Sequence, residues 1–295
     1  MFNIITPTYN RENLITRVFD SLVNQTYQEF KWIIVDDAST DNTKDLVESW
    51  QRESNLSIQY YYLNENKGKP HAVNFGLSKC EEKYTIIADS DDTFSPNTLE
   101  DLLKIWKSIN VSEMNICAIW SLVIDEDNNI KGDKFPVDKW QVDFKERVLF
   151  RKHQLQGDKW HCWITEILKQ YPLYEDDHCH IGESHTWNRI NKSYNFLCIN
   201  SVFLKAHRTE NSLITSKKSR KEVARALYLS SFHGLKDVSP LQLLKYKYYR
   251  YLAFEYIKSK FHYASSELKL SNLKLLLSWF IFIYQLPFRF LKKLI

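Results

Sequence analysis

The chain of 295 residues is 44% apolar and 15% aromatic with only six glycines and seven prolines, which excludes disordered, collagen-like and low-complexity classes and allows one large domain or two smaller ones. Its net charge of +4 conceals a split: Ser212 to Ile295 holds 16 Lys/Arg against 4 Asp/Glu, or +12, and the remainder holds 24 against 32, or −8. An acidic front and a basic rear predict two functional zones, the rear turned towards something anionic.

The segment "FNIITP" reads as a first strand. It follows Met1 with neither a basic stretch nor a small-residue cleavage site, so no secretory leader is expected. "NLITRVFDSLVNQ" places Leu14, Val18 and Leu22 at i, i+4 and i+8, one face of a helix. "FKWIIVDD" is a near-continuous apolar run, a strand buried on both faces. "STDNTKDLVESWQ" opens with capping residues, Ser39 or Asp41, and sets Leu46, Val47 and Trp50 on one helix face. "SIQYYYL" is a third strand, "PHAVNFGLSKC" a helix and "YTIIAD" a fourth strand; Ser95-Pro96 then open a helix running to Trp106. This alternation predicts a doubly wound α/β sheet. Beyond Asn110, "ICAIWSLVID" is another strand, Gly157 to Asn200 reads as short helices and loops, and a capping box at Ser239–Gln242 starts one long helix.

Ligands of such sheets sit beyond the carboxyl ends of the strands. There the chain places Pro7-Thr8-Tyr9, Asp36-Asp37, Asn64 to Lys69 and the acids of "DSDD". Asp89, Asp91 and Asp92 repel one another at the end of an apolar strand, so a counter-charge is expected, and hard oxygen ligands favour Mg²⁺ or Mn²⁺. An acidic turn that caps the following helix is the plainer alternative. Gly68 between Lys67 and Lys69, just before a helix, makes a phosphate-friendly surface.

In this order, "ITPTYNRENLITRVFDSLVNQTYQEFKWIIVDDASTDNT", "NKGKPHAVNFG" and "IIADSDD" resemble the family 2 glycosyltransferases of the GT-A fold, densely over the first third of the chain. "GDKWHCWITEILKQYPLYEDDHCHIGESHTWNRI" resembles the later part of one bacterial branch, where an acid precedes a Trp-Asn-Arg helix. The resemblance implies a Rossmann-like, doubly wound mixed sheet: a GT-A nucleotide-sugar-binding and catalytic domain over residues 1–211, with a basic, aromatic-rich helical extension over 212–295. It also implies a metal-dependent, inverting hexosyl or N-acetylhexosaminyl transfer from a nucleotide-sugar, usually UDP-linked. The acceptor would be a glycan or lipid-linked molecule in bacterial surface polysaccharide synthesis.

Residue by residue, the resemblance puts Thr6, Pro7, Tyr9 and Asp37 around the nucleobase and ribose, with Asp36 in support and Lys69 helping the grip. Asp89 and Asp91 match the family's D-x-D and Asp92 a further acid beside it; this group would touch the ribose and hold the metal on the diphosphate. Such an ion, Mn²⁺ or Mg²⁺, neutralises the leaving group as a Lewis acid, and a base on the opposite face of the sugar takes the acceptor proton. Glu183 stands at the position of that base. Many relatives carry Glu-Asp there; Glu-Ser leaves one acid, with Asp176 and Asp177 in reserve. His207 falls where some relatives close a loop over the diphosphate, and reads as a metal ligand or an ordinary surface histidine. Gly157-Asp158-Lys159 recurs in the branch, on the acceptor side of the cleft.

Leu275 to Leu286, flanked by Lys274, Arg289, Lys292 and Lys293, is short of the ~20 apolar residues that span a bilayer and suits a helix lying on an anionic membrane surface, against the alternative of a core or dimer helix. The expectation is a cytoplasmic protein, peripheral at the inner face of the plasma membrane, with homo-oligomerisation left open. Five scattered cysteines without a C-x-x-C pair fit a reducing compartment. His161-Cys162 and His178-Cys179-His180 lack the paired spacing of a zinc site, and tyrosines among lysines from Tyr246 to Tyr251 come with no nucleic-acid motif. Two other readings compete with transfer: a non-catalytic nucleotide- or glycan-binding module on the same fold, and a metal-dependent phosphohydrolase.

Overall fold

The computed structural model describes residues 1–150, 155–208 and 218–291. In chain order the front half comprises β1 (Phe2–Thr8), α1 (Ile15–Val23), β2 (Phe30–Asp36), α2 (Thr43–Glu53), β3 (Ile58–Tyr62), α3 (Lys69–Ser78) and β4 (Tyr84–Ile87). The strands run parallel in the order β3-β2-β1-β4, and β1 and β2 are almost wholly buried, as continuous apolar runs require. Of the two capping candidates for α2, Ser39 accepts the Asn10 N–H instead, while Asp41 accepts the N–H of Thr43, the first residue of the helix (3.1 Å), with Asn42 at the N-cap position; α4 starts at Thr98, with Asn97 at its N-cap, so Pro96 lies outside it.

The chain continues through β5 (Thr93–Phe94), α4 (Thr98–Ser108), α5 (Val111–Met114), β6 (Ile116–Ile124), β7 (Trp140–Val142) and a π-helical turn at Lys145–Phe150. Then come β8 (Lys159–Ile164), α6 (Thr165–Lys169), α7 (Ser184–Asn191) and β9 (Asn195–Lys205). Short helices and loops do occupy the middle of Gly157 to Asn200, but its two ends are corrected to strands: β8 pairs antiparallel with both β4 and β6 in the middle of a mixed sheet, and β9 runs parallel to β6. The sequence "KWHCWI" hides its period because both faces are covered. Trp160 and Cys162 enter one core, where the Trp106 indole donates to Cys162 Sγ, and Trp163 enters the other.

These cores lie on the two faces of the sheet, and a third apolar cluster belongs to the rear helices α8 (Arg220–Leu235), α9 (Pro240–Lys245), α10 (Lys247–Ser259) and α11 (Asn272–Leu291). The capping box at Ser239 and Gln242 is present, but the long helix is corrected to two: Tyr246 is extended (φ −99°, ψ 131°) and separates α9 from α10. Pro287 lies inside α11. Among the described residues no helix is long and apolar enough to cross a membrane. All five cysteines are free thiols. The expected boundary at 211/212 falls outside the described residues, as do Lys292 and Lys293.

Candidate active site

The carboxyl ends of the four parallel strands share one edge. Thr8 is level with Asp36, and Asp36 with Tyr62. Beyond them the loops are stitched together: the Asn10 side chain accepts the Thr40 N–H (2.7 Å), while Ser39 Oγ accepts the Asn10 N–H (2.8 Å). Ala38 closes this turn with φ 67°, a left-handed conformation that costs a non-glycine residue energy and that recurs at functional sites.

Asp36 and Asp37 are buried, and their carboxylates are used internally. Asp36 accepts the Ser39 N–H (2.7 Å) and the Tyr60 hydroxyl (2.7 Å), whose pKa is raised by burial and by that bond. Asp37 accepts the backbone N–H groups of Lys67 (3.0 Å) and Gly68 (2.6 Å), which fixes the loop before α3. Gly68 takes φ 88° there, which a side chain would resist. Thr6 is fully buried, its hydroxyl accepting the Trp32 indole N–H (2.9 Å); Pro7 follows it on β1, and Tyr9 is 44% exposed at the mouth.

The loop anchored by Asp37 delivers Lys69 to the acids. Its Nζ lies 2.7 Å from Asp89 Oδ1 and 3.0 Å from Glu183 Oε1, joining residues remote in sequence into one charge cluster. Burial alone would lower the Lys69 pKa, but Asp89 and Glu183 outweigh it and raise it. Asp89 to Asp92 form a tight turn, the Asp92 N–H reaching the Asp89 carbonyl (3.2 Å). Desolvation, then Asp89 and Asp91, push the Asp92 carboxyl up to about 8. Among the described residues no three His, Cys, Asp or Glu side chains form a ready-made metal cage. Mg²⁺ needs no such cage, since one or two carboxylates with substrate phosphates and water commonly hold it.

Glu183 holds the N-cap position of α7, yet its side chain caps nothing and turns to Lys69. Asp176 is committed elsewhere, paired with Arg225 at 2.8 Å, and Asp177 is exposed. His207 follows β9. Its Nε2 is 3.1 Å from Thr93 Oγ1, next to the acidic turn, and its Nδ1 is 3.3 Å from Glu126. Sequence reasoning missed the Lys69–Glu183 pair, for which no local pattern exists. His161, weighed from the sequence only as a zinc ligand, is packed among Trp120, Trp163 and Trp187, where burial and then Arg147 and Lys69 hold it neutral, its pKa down to about 3.

A cavity of about 500 Å³ adjoins α7, lined by Trp120, Phe135, Arg147, Lys159, Ser184 and Tyr248 among others. Gly157-Asp158-Lys159 edges it. Gly157 (φ 81°) pairs with Gly132 so closely that a Cβ would meet the Lys131 carbonyl at 2.1 Å, and Asp158 pairs with Lys131 at 2.7 Å.

The family model described as "Glycosyl transferase family 2" matches residues 3–170. The chain is 38% identical over 103 residues to the poly(ribitol-phosphate) beta-N-acetylglucosaminyltransferase TarS of Staphylococcus aureus, a match spanning 34% of this chain and 18% of that protein. It is 34% identical over 104 residues to the putative teichuronic acid biosynthesis glycosyltransferase TuaG of Bacillus subtilis, spanning 35% of this chain and 41% of that one. In structure, a crystal form of S. aureus TarS 1–349 superposes at TM-score 0.62 with 20% identity, covering 98% of this chain and 81% of that chain. The mannosyltransferase PcManGT of Pyrobaculum calidifontis, in complex with GDP-Man and Mn²⁺, superposes at TM-score 0.55 with 20% identity, covering 99% and 83%. The fold is therefore GT-A, with helices at its C-terminus.

Proposed function

The chain belongs to glycosyl transferase family 2, and on that footing we propose that it moves a sugar from a nucleotide-sugar, foremost a UDP-sugar, to a glycan or lipid-linked acceptor with inversion at the anomeric carbon. The observation that carries the reading is the Lys69 bridge, which draws the acidic rim at Asp89 and the acid at Glu183 into one site. In a single displacement the two sides of the sugar need opposite services: charge neutralisation at the leaving diphosphate and proton removal at the acceptor. Glu183 removes the acceptor proton. Asp37 and Gly68 hold the loop that places Lys69 on the nucleotide side, and Thr6, Pro7, Tyr9 and Asp36 shape the nucleoside pocket.

Mn²⁺ or Mg²⁺ suits the oxygen donor set of Asp91 and Asp92, and when bound it would act as a Lewis acid on the diphosphate. His207 joins that set only by giving up its bond to Thr93 or Glu126. A solved relative in fold binds GDP-Man with Mn²⁺, and the TarS fragment has been crystallised with UDP-GlcNAc. The aromatic-walled cavity beside Ser184, with Gly157-Asp158-Lys159 at its edge, is the acceptor side of the cleft. The likeness to a poly(ribitol-phosphate) N-acetylglucosaminyltransferase and to a putative teichuronic acid enzyme supports a role in bacterial surface polysaccharide synthesis at the cytoplasmic face of the plasma membrane.

Calorimetry of UDP binding with and without Mn²⁺ tests the metal arm. Wild type should bind UDP more tightly with the ion, and Asp91→Asn should lose that gain, on the order of 10–100-fold; normal metal titration in the variant removes Asp91 from the ion site. UDP release from a panel of UDP-sugars separates the classes. A transferase is accelerated by acceptor, a phosphohydrolase needs none, and a binding module releases nothing.

A further inference from the structure

Helix α11 has two apolar faces. One is buried in the rear cluster: Ser278, Ile281 and Phe282 are at most 8% exposed, and Phe282 packs on Phe254 at 4.9 Å. The other is bare: Leu273 (54%), Leu276 (67%), Phe280 (66%), Ile283 (66%) and Tyr284 (65%) recur at helical spacing along its outer side. Phe261, 63% exposed, adds a further bare aromatic ring beside this helix, against Trp279 (6.1 Å) and Phe282 (5.8 Å). Singly exposed apolar residues are ordinary, but a row of aromatic and branched side chains along one helix marks an interaction surface.

The net charge of the rear segment selects the partner. The segment from Ser212 onwards carries 16 Lys/Arg against 4 Asp/Glu, and Lys245, Lys247, Lys258 and Lys269 are exposed on the rear elements. A second copy docking by the same face would bring two such basic segments together, and an isologous interface cannot avoid that repulsion. An anionic bilayer satisfies both features, taking the apolar side chains among its acyl chains and the lysines among its headgroups. The helix is too polar at its ends to cross, so it lies flat.

We propose that the outer face of α11, with Phe261, is a membrane-docking surface that seats the enzyme on anionic lipid. It deepens the lipid-linked reading of the acceptor and rests on it for its purpose, not for its physics. A protein held in this way meets lipid-borne acceptors by two-dimensional search.

Co-flotation of the full chain with vesicles tests it without donor or acceptor, so failure here leaves the transferase reading standing and failure of transfer leaves this one standing. Wild type should float with phosphatidylglycerol-containing vesicles, more weakly with pure phosphatidylcholine, and less as salt rises. Phe280→Asp with Ile283→Asp should lower the bound fraction by about tenfold or more, with an unchanged circular dichroism melt because both side chains are exposed. Phe261→Ser is a milder second variant and should give a smaller loss. The inference is overturned if the wild-type chain stays unbound, or if the variants float as well as it does. It is overturned equally if light scattering shows a dimer that the double substitution disperses.

Discussion

The rim of the sheet and the rear helical cluster handle polar groups in opposite ways. At the rim, Lys69 bridges Asp89 and Glu183, and Asp89 and Asp91 crowd a desolvated Asp92, so like charges are held close together. Against the rear helices, by contrast, some buried polar groups are neutral and locally satisfied: His185 bonds the Ser230 hydroxyl, and the Tyr228 hydroxyl meets that of Tyr256 (2.9 Å) and the Leu268 carbonyl (2.7 Å). Crowding of like charges costs stability and is kept where a ligand completes it; a closed network serves packing. The first region is built for an incoming cation and substrate, the second to stand unchanged.

The strongest way to break this contrast is Glu183→Gln. If the rim is chemical, kcat should fall by about 10²–10⁴-fold while UDP-sugar affinity is retained, read by steady-state kinetics beside calorimetry. Unchanged turnover would make Glu183 another structural acid. Smaller in size is the packing contrast within α11. Ile281→Ala, on the buried face, should cost about 2–4 kcal/mol, whereas Leu276→Ser on the bare face should stay within about 0.5 kcal/mol, both from urea unfolding.

The pH dependence sharpens the comparison through its sign. Burial holds His185 down at about 4, below its value of about 6.5 when unfolded. Between those values the unfolded chain binds the extra proton, so the His185 contribution is present above about 6.5 and is lost as pH falls towards 4. The stability gap between wild type and His185→Gln should therefore shrink by about 2 kcal/mol from pH 7 to pH 5. Asp92 runs the other way. Its folded value near 8 lies above that of the free acid, so its contribution is complete at low pH and declines as pH rises towards 8. Gaps measured against Asp92→Asn should widen on acidification. If both gaps changed in the same direction with pH, the distinction between the two regions would be erased.

Much of the front was legible in the amino-acid order because local rules suffice there. Strands β1, β2 and β4 are apolar runs that end in polar residues, helices with one apolar face separate them, and a parallel sheet must then collect those polar ends at one edge. The acids of the rim were visible for that reason. The strand β8 was not, since a segment covered on both faces by aromatic partners shows no alternation. Nor was the break at Tyr246, where the capping box and the helical pattern continue across a residue whose extended backbone is set by packing.

Residue order, then, determined the wound sheet, its acidic rim and the basic rear, because each arises from period, punctuation and net charge over short spans of chain. Only the tertiary structure decided that Lys69 bridges Asp89 to Glu183, that Asp176 belongs to Arg225, and that one apolar face of α11 is buried while the other is left bare. Those outcomes depend on which distant surfaces meet, and pairings across a hundred residues leave no periodic trace in either partner.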